Sequence, residues 1–184
     1  MINMDYFRLS KICSKHKIIF VDYFDTVMFR TVHSWQLIDN WVNRIKDIYN
    51  IKSDLKEIRL ECIKEFNTNM FEISYKELIS CIYYKLKNEI NVSEDVFYSM
   101  CYKVELYSDL ATQYPNRVLI DFLKKQKKSG KKIYIISDFY LPKESYYSFL
   151  EYFNISDIFD GIFCSTDEKA SKLEGSLYDV AIKK

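Results

Sequence analysis

The stretch Lys17–Val21 reads KIIFV, and Asp22 follows it directly. Short apolar runs rich in β-branched and aromatic residues are typical of strands buried on both faces of a parallel sheet. Two later runs have the same character, KIYIIS at Lys132–Ser137 and IFC at Ile162–Cys164. Helical patterns separate the three runs, so the sequence predicts an α/β fold with a parallel sheet and right-handed crossover connections.

A polar residue stands where each predicted strand ends: Asp22, Ser137 and Ser165. Ligands of open α/β sheets bind beyond the carboxyl ends of the strands. The three residues therefore predict a functional site at that edge of the sheet. The alternative is structural, because Ser and Asp also commonly end strands and cap helices.

The region between the first two strands predicts helices only. Apolar residues recur there at helical spacing in four successive segments. Each segment opens at or just after a serine: Ser34, Ser53, Ser74 and Ser93. Residues 74–77 also match a capping box. We therefore expect a helical insertion at 31–113 and an α/β core made of 1–30 and 114–184.

Length and composition limit the possible classes of protein. The chain has 184 residues, of which 48% are hydrophobic and 29% charged, which fits one core plus an insertion. The net charge of +1 provides no overall field for binding nucleic acid or an anionic membrane. No apolar run approaches the roughly 20 residues that span a bilayer. Any charged ligand must therefore be recognised by a local site.

The five cysteines include no CxxC pair, and the two histidines have no neighbouring ligand residues, so a zinc site is not expected. The odd number of cysteines and the polar first ten residues predict a cytoplasmic protein. In that compartment we expect reduced thiols buried as small apolar groups.

Two segments resemble motifs of the haloacid dehalogenase (HAD) superfamily. IIFVDYFDTVMFR, residues 18–30, resembles the first motif, in which Asp22 matches the nucleophile and Thr26 the residue four positions later. IYIISDFYLP, residues 133–142, is similar to the second motif, in which Ser137 matches the residue that holds the transferred phosphoryl group. Within the superfamily, the residues of these two motifs look closest to those of bacterial hydrolase-like domains that accompany surface-polysaccharide glycosyltransferases.

A third segment, SKLEGSLYDV at residues 171–180, looks like the third motif of the superfamily. Lys172 matches the lysine that neutralises the nucleophile and the phosphate, and Lys169 is the weaker candidate. The resemblance extends over nearly the whole chain, because the helical insertion stands where many members carry a cap.

The resemblance implies a three-layer, Rossmann-like parallel sheet with a helical cap, and magnesium-dependent hydrolysis of a phosphoester through an aspartyl-phosphate on Asp22. In the family, the Mg²⁺ ion is bound by the nucleophile, by the backbone carbonyl two residues later (here Phe24) and by acids of a fourth motif. The implied substrate is a small phosphorylated molecule such as a sugar phosphate.

Two departures from the family pattern leave alternatives open. Phe24 stands where phosphatases of the family carry the acid that protonates the leaving oxygen, and Asp25 is the nearest replacement. General acid catalysis is worth about 10² to 10⁴ in rate. A dehalogenase needs no such acid, and a non-catalytic or partner-dependent domain would also tolerate its loss.

The fourth motif is the second departure, because no acidic pair after a further strand follows the helix that begins at Ser176. The C-terminal part of the core thus looks incomplete, and the strand that ends at Val21 lacks its expected second neighbour. An uncovered apolar edge strand favours pairing with another chain. We therefore expect a homodimer or a partner chain at that edge.

Overall fold

The computed structural model of this chain describes residues 6–66 and 73–183. Within these ranges the strands form one parallel sheet and one antiparallel pair. The strands are β1 (Ile18–Val21), β2 (Met28–Arg30), β3 (Gln113–Pro115), β4 (Lys132–Ser137) and β5 (Gly161–Cys164). The helices are α1 (Tyr6–Cys13), α2 (Ser34–Tyr49), α3 (Leu55–Phe66), α4 (Tyr75–Leu86), α5 (Glu94–Thr112), α6 (Arg117–Lys128), α7 (Lys143–Tyr152), α8 (Ser165–Glu168) and α9 (Ser176–Lys183). None of these described helices is long and apolar enough to cross a bilayer.

The parallel sheet has the strand order β1-β4-β5, and both pairings are parallel. Val21 at the end of β1 lies beside Ile135, and Ser137 at the end of β4 lies beside Cys164. All three strands therefore end at one edge of the sheet. The predicted parallel α/β class is confirmed, and the polar residues at the strand ends share that edge.

Helices cover both faces of the parallel sheet. Ile133 and Ile135 of β4 belong to the main core, together with the apolar faces of α6 and α7. Ile136 points to the other face, where it packs with Leu177 and Ala181 of α9. Successive strand residues point to opposite faces, so this division follows from the pleat. The predicted three-layer arrangement is therefore confirmed.

β1 is an edge strand of the sheet among the described residues, because only β4 pairs with it. Ile18 is 51% exposed, and Ile19 and Phe20 are half-buried. The sequence predicted a strand buried on both faces with a neighbour on each side. In the described structure β1 has β4 as its one neighbouring strand, so the other edge of this apolar strand is uncovered.

The helices α2 to α5, which we call the helical insert, lie between β2 and β3 in the chain. These two strands pair antiparallel, with Met28 beside Pro115 and Arg30 beside Gln113. The chain therefore leaves the core and returns to it through one two-stranded connection. Trp41 of α2 is fully buried, whereas Trp35 is 56% exposed.

Two of the predicted helix starts are confirmed in detail. Ser74 is the N-cap of α4, its Oγ accepts the Glu77 N–H, and the Glu77 carboxylate accepts the Ser74 N–H in return. Ser93 is the N-cap of α5. The reciprocal pair at Ser74 satisfies two amides that the first turn of a helix leaves unpaired.

The other two helix starts differ by one residue. His33 caps α2, and its N–H donates to Gln36 Oε1 at 3.0 Å. α3 follows Asp54, whose Oδ1 accepts the N–H groups of Lys56 and Glu57 at 3.1 Å. A carboxylate can accept both amides of the first turn, so Asp54 rather than Ser53 caps this helix.

The sequence did not predict α1, β2 or β3. The strands β2 and β3 have three residues each. An alternation of period two is not detectable over so few residues, so their pairing depends on the tertiary structure. α1 packs on the core through Tyr6, whose ring centroid lies 5.7 Å from that of Phe122.

The cysteines correct one expectation. Cys62 of α3 and Cys81 of α4 are joined by a disulfide, so the prediction of reduced thiols throughout is wrong for this pair. Cys13, Cys101 and Cys164 are free and buried, as expected for small apolar groups. Spacing along the chain did not indicate the pair, because the two helices are brought together only in the folded insert.

Candidate active site

Asp22 and Lys172 meet at the carboxyl edge of the sheet. The Lys172 Nζ donates to Asp22 Oδ1 at 2.9 Å, although the two residues are 150 positions apart in the chain. Their side chains are 21% and 41% exposed, so the pair is accessible to solvent. Asp22 lies there because β1 ends at Val21, and a small ligand can reach its carboxylate.

The main chain of Lys172 is anchored by an acid that the sequence analysis did not single out. Both carboxylate oxygens of Asp138 accept the Lys172 N–H, at 3.0 and 3.1 Å. The neighbouring turn is closed by the Ser171 N–H, which donates to Ser176 Oγ at 2.9 Å. Asp138 directly follows β4, and that position at a strand end was the available signal for it.

Lys169 has a different position. It is exposed and follows α8 with a φ of 49°, in the left-handed region. The contact with Asp22 is made by Lys172, which was the favoured candidate of the two. The left-handed residue ends α8 and turns the chain toward the loop that carries Lys172.

Ser137 closes β4 and is only 1% exposed. It faces the Tyr146 hydroxyl of α7, which also lies near Cys164. Burial raises the pKa of Tyr146 well above its ordinary value. This hydroxyl is buried without a hydrogen bond of good geometry among the described residues. The structure thus places Ser137 at the same strand edge as Asp22 but shows no hydrogen bond between the two side chains.

Ser165, the third polar residue at the strand ends, supports the loop after β4. Its Oγ accepts the Phe139 N–H at 3.0 Å, and the Thr166 hydroxyl donates to the Phe139 carbonyl at 3.1 Å. The Asp167 carboxylate accepts the Lys143 N–H at 2.7 Å. These contacts tie β5 to the loop that carries Asp138. The structural interpretation therefore accounts for Ser165.

Phe24 packs in an aromatic group. Its ring centroid lies 4.4 Å from that of Phe139 and 4.9 Å from that of Tyr23. The guanidinium carbon of Arg30 lies 3.8 Å from the centre of the Phe24 ring, a cation–π contact. The side chain at this position is therefore a packing group, and its backbone carbonyl is its only oxygen.

Asp25 and Thr26 lie in the turn between Phe24 and β2. Asp25 has a φ of 55° and is exposed. It lines a cleft of about 410 Å³ together with Arg30 and His33. The Thr26 carbonyl accepts a hydrogen bond from Asn116 Nδ2 at 2.9 Å, which holds the turn against the start of α6. The turn therefore presents the Asp25 carboxylate to solvent.

Oxygen donors near Asp22 suit a magnesium ion. Lys172 contacts two carboxylates, Asp22 through its Nζ and Asp138 through its backbone N–H, so these three residues carry a net negative charge. Mg²⁺ commonly binds one or two carboxylates and completes its shell with waters and substrate phosphate oxygens. Within 6–66 and 73–183, no group of three or more His, Cys, Asp or Glu residues is placed to hold a metal. The described residues thus form no complete metal site, and an ion here would take most of its shell from water and substrate.

No protein-family model matches the sequence, and no curated protein matches it. Solved structures do match. The chain is similar to the HAD-hydrolase YfnB from Bacillus subtilis, which was solved bound to magnesium, with a TM-score of 0.50 and 14% identity over 85% of this chain. It covers 66% of that protein.

Two further solved structures are similar to this chain. L-2-haloacid dehalogenase from Xanthobacter autotrophicus gives a TM-score of 0.49 at 10% identity, over 91% of this chain and 64% of that one. A predicted phosphoglycolate phosphatase from Haemophilus somnus gives 0.46 at 12% identity, over 82% and 63%.

The chain thus spans 63 to 66% of the length of these structures. At such low identity the likeness concerns the fold alone. The parallel order β1-β4-β5 and the helical insert after the first strand agree with it. The chain therefore has the fold of the haloacid dehalogenase superfamily.

Proposed function

We propose that this chain is a HAD-like hydrolase that cleaves phosphoesters through an aspartyl-phosphate on Asp22. The observation that carries the proposal is the 2.9 Å contact between Lys172 Nζ and Asp22 Oδ1 at the carboxyl edge of the sheet. A lysine beside an accessible carboxylate lowers the repulsion between that carboxylate and an incoming phosphate dianion. Such an arrangement suits nucleophilic catalysis by Asp22.

The reaction has two displacement steps. The free oxygen of the Asp22 carboxylate attacks phosphorus, an O–P bond forms, and the ester P–O bond breaks with its electron pair on the leaving oxygen. Water then attacks the phosphorus of the aspartyl-phosphate, a new O–P bond forms, and the bond between the Asp22 oxygen and phosphorus breaks with its electron pair on the carboxylate. The proton of the attacking water passes to solvent, and inorganic phosphate leaves. Lys172 offsets negative charge in both steps, and Ser137, at the end of β4, holds a phosphoryl oxygen.

Magnesium fits this scheme as the proposed cofactor. The Asp22 carboxylate and the Phe24 carbonyl would hold the ion, with Asp138 as the second acid. When bound, the ion supplies positive charge to the transferring phosphoryl group. Lys172 supplies the protein's own share of that charge.

The leaving oxygen must be protonated, and the Phe24 side chain has no acidic group that could do this. Asp25 is the nearest acid in the same turn and is exposed to the cleft beside Arg30. We assign it the role of acid for poor leaving groups, and Thr26 closes the turn that carries it. The proposed substrates are small phosphorylated molecules such as sugar phosphates, and the helical insert (31–113) is proposed to cover them as a cap.

One observation favours a second candidate function. Phe24 is fixed between Phe139 and Arg30, so the usual acid position is filled by packing. A domain that binds a phosphorylated ligand or a partner without turnover would tolerate this arrangement. Halide displacement from carbon, as in a dehalogenase, would also need no acid there.

Measuring the release of inorganic phosphate distinguishes the phosphoester hydrolase from the other candidate functions. We expect magnesium-dependent hydrolysis of p-nitrophenyl phosphate, whose leaving group needs no acid, at least about 100-fold faster than hydrolysis of an alkyl phosphate such as glucose 6-phosphate. Asp25→Asn should slow the alkyl substrate only, whereas Asp22→Asn should stop both reactions. Phosphate release by wild type that is no faster than by Asp22→Asn would overturn the hydrolase proposal.

A further inference from the structure

A stripe of buried polar residues runs along the face of α5 that meets the core. Glu105, Asp109 and Gln113 follow one another at four-residue spacing, on or directly after α5, and are 3%, 2% and 7% exposed. Residues at this spacing share one helix face. Core-facing helix positions are normally apolar, so three consecutive polar ones require partners from the core.

Each residue of this stripe bonds one residue of the core. The Tyr23 hydroxyl donates to Gln113 Oε1 at 2.9 Å. The Arg30 Nε donates to Asp109 Oδ1 at 3.0 Å. The Tyr140 hydroxyl donates to Glu105 Oε1.

Two of these core residues belong to the loops of the candidate site. Tyr23 is the residue after Asp22, and Tyr140 lies in the loop after Ser137. The main chain of Tyr140 is held as well, because its carbonyl accepts the Tyr75 N–H of α4 at 2.9 Å. The stripe therefore forms hydrogen bonds with both loops, the one that follows β1 and the one that follows β4.

Glu105 is the most strongly held member of the stripe. Arg59 of α3 binds it through two nitrogens, at 3.0 and 3.1 Å. The Arg59 guanidinium carbon also lies 4.4 Å from the centre of the Trp41 ring. Two-point binding and the aromatic face fix the position of the carboxylate. Glu105 thus offers Tyr140 a rigid acceptor.

The Tyr140 hydroxyl keeps the proton that it donates to Glu105. Its burial, together with the negative charge of Glu105, raises the pKa of Tyr140 well above its ordinary value. The hydroxyl therefore stays protonated at neutral pH. An Arg59 nitrogen lies 3.5 Å from the same oxygen, so the three side chains form one connected group.

We infer that Tyr140 is a positioning residue for the proposed phosphoryl transfer, through which the helical insert holds the loop that places Lys172. The path runs from Glu105 to Tyr140, along the backbone to Asp138, and from the Asp138 carboxylate to the Lys172 N–H. Lys172 then reaches Asp22. This inference rests on the proposed function, and it adds the residue that links the insert to the catalytic lysine.

Tyr75 provides a matched control. Its hydroxyl also donates to Glu105, to Oε2 at 3.4 Å, but Tyr75 belongs to α4 of the insert and to no site loop. Tyr140→Phe and Tyr75→Phe each remove one hydroxyl from the same carboxylate. A merely structural role predicts similar effects for both. The positioning role predicts an effect on catalysis for Tyr140→Phe alone.

The first measurement is steady-state hydrolysis of p-nitrophenyl phosphate with magnesium. We expect Tyr140→Phe to lower kcat about tenfold and to change KM by less than about twofold, because the displaced loop misplaces Lys172. Tyr75→Phe should keep the kcat of wild type. Equal losses of kcat in the two variants would overturn the inference.

The second measurement does not depend on turnover. Hydrogen exchange of the Lys172 amide, which Asp138 protects, should be faster in Tyr140→Phe than in wild type and unchanged in Tyr75→Phe. An unchanged Lys172 amide in Tyr140→Phe would overturn the inference whatever the activity. If wild type releases no phosphate, the proposed function fails, and the exchange result alone decides whether Tyr140 positions Lys172.

Discussion

Two ion pairs of this protein have similar geometry and opposite surroundings. Lys172 and Asp22 meet at 2.9 Å with side chains 21% and 41% exposed. Arg59 and Glu105 meet at 3.0 Å with side chains 2% and 4% exposed. The first pair lies at the carboxyl edge of the sheet, and the second is buried where α5 meets the core.

The difference shows that a short contact distance does not by itself identify a functional pair. The Lys172–Asp22 pair is partly exposed, and pairs in contact with solvent contribute only about 0 to 1 kcal/mol to stability, so its charges are available for a ligand. The two residues of a buried pair depend on each other, because removing one leaves the other as a charge without a partner and without contact with water. Exposure and position at the strand ends therefore separate the candidate catalytic pair from the structural one.

The largest expected effect is on the exposed pair. Asp22→Asn removes the nucleophile without changing its shape, so turnover of p-nitrophenyl phosphate should fall by at least about 10³-fold. The melting temperature should stay near that of wild type, because the pair is exposed. Turnover retained in this variant would rule out the covalent mechanism.

The buried pair should behave in the opposite way. Glu105→Ala strands the Arg59 charge and should lower the free energy of unfolding by about 3 to 5 kcal/mol, measured by urea denaturation. Lys172→Met, the matched change at the exposed pair, should cost about 1 kcal/mol or less. Equal losses in the two variants would show that the two pairs do not differ as the exposures indicate.

A double replacement sharpens this result. Arg59→Met combined with Glu105→Leu removes both buried charges and fills similar space, so most of the stability lost in Glu105→Ala should return. A double variant as unstable as Glu105→Ala would mean that the loss comes from packing rather than from the stranded charge.

The third effect concerns the metal. Asp138→Asn should raise the magnesium concentration needed for half-maximal turnover by about 10- to 100-fold, because it removes the second carboxylate beside Lys172. Glu174→Gln removes an exposed acid of the neighbouring loop and serves as the control. The same shift in both variants would show that Asp138 has no specific part in binding magnesium.

The open edge of the sheet predicts self-association or low stability. We expect wild type to sediment as a dimer at micromolar concentration or to melt at low temperature, because β1 has an apolar edge without a partner strand in the described structure. Ile18→Lys should produce a monomer, whereas Val118→Lys, at a 62% exposed apolar residue of α6, should not. A wild-type monomer with a high melting temperature would contradict this account of the edge.

The smallest expected effect is a pH dependence within the buried stripe. Burial raises the pKa of Asp109 above its ordinary value of 3.8, although Arg30 lowers it in part. The folded state then holds this proton more tightly than the unfolded state. The contribution of Asp109 to stability should therefore fall as the pH rises from about 4 through the raised pKa.

Urea denaturation of wild type and Asp109→Asn across the acid range checks this sign. The stability of wild type relative to the variant should decrease as the pH rises and then become constant. Arg30 favours the ionised carboxylate, so it opposes part of this slope without reversing its sign. A relative stability of wild type that increases with pH would contradict the expectation.

The sequence predicted the elements whose signals are local. β4 has the predicted residues Lys132–Ser137, and the capping box at Ser74 forms as expected. The helix starts at His33 and Asp54 were missed by one residue, since neighbouring polar residues compete for the same amides. β2 and β3 were missed because each needs the other to form.

The site shows the same division between local signals and tertiary contacts. Asp22, Ser137 and Ser165 were placed at one sheet edge by strand endings alone, because parallel strands end together. Asp138 contacts the Lys172 N–H, and Glu105 contacts the Tyr140 hydroxyl. No pattern in the sequence near Asp138 or Glu105 indicated these partners. Those partners are set by how the loops and α5 pack.

By itself, the sequence determined the parallel α/β class, the helical insert and the strand-end position of Asp22. Hydrophobic periodicity and helix caps act over a few residues, so short segments of the sequence are enough to determine these features. Only the tertiary structure decided that Asp138 anchors the Lys172 main chain, that Cys62 bonds Cys81, and that α5 carries a buried polar stripe bonded to the core. Each of these joins residues of separate elements, and burial of apolar surface selects such pairings without leaving a local pattern.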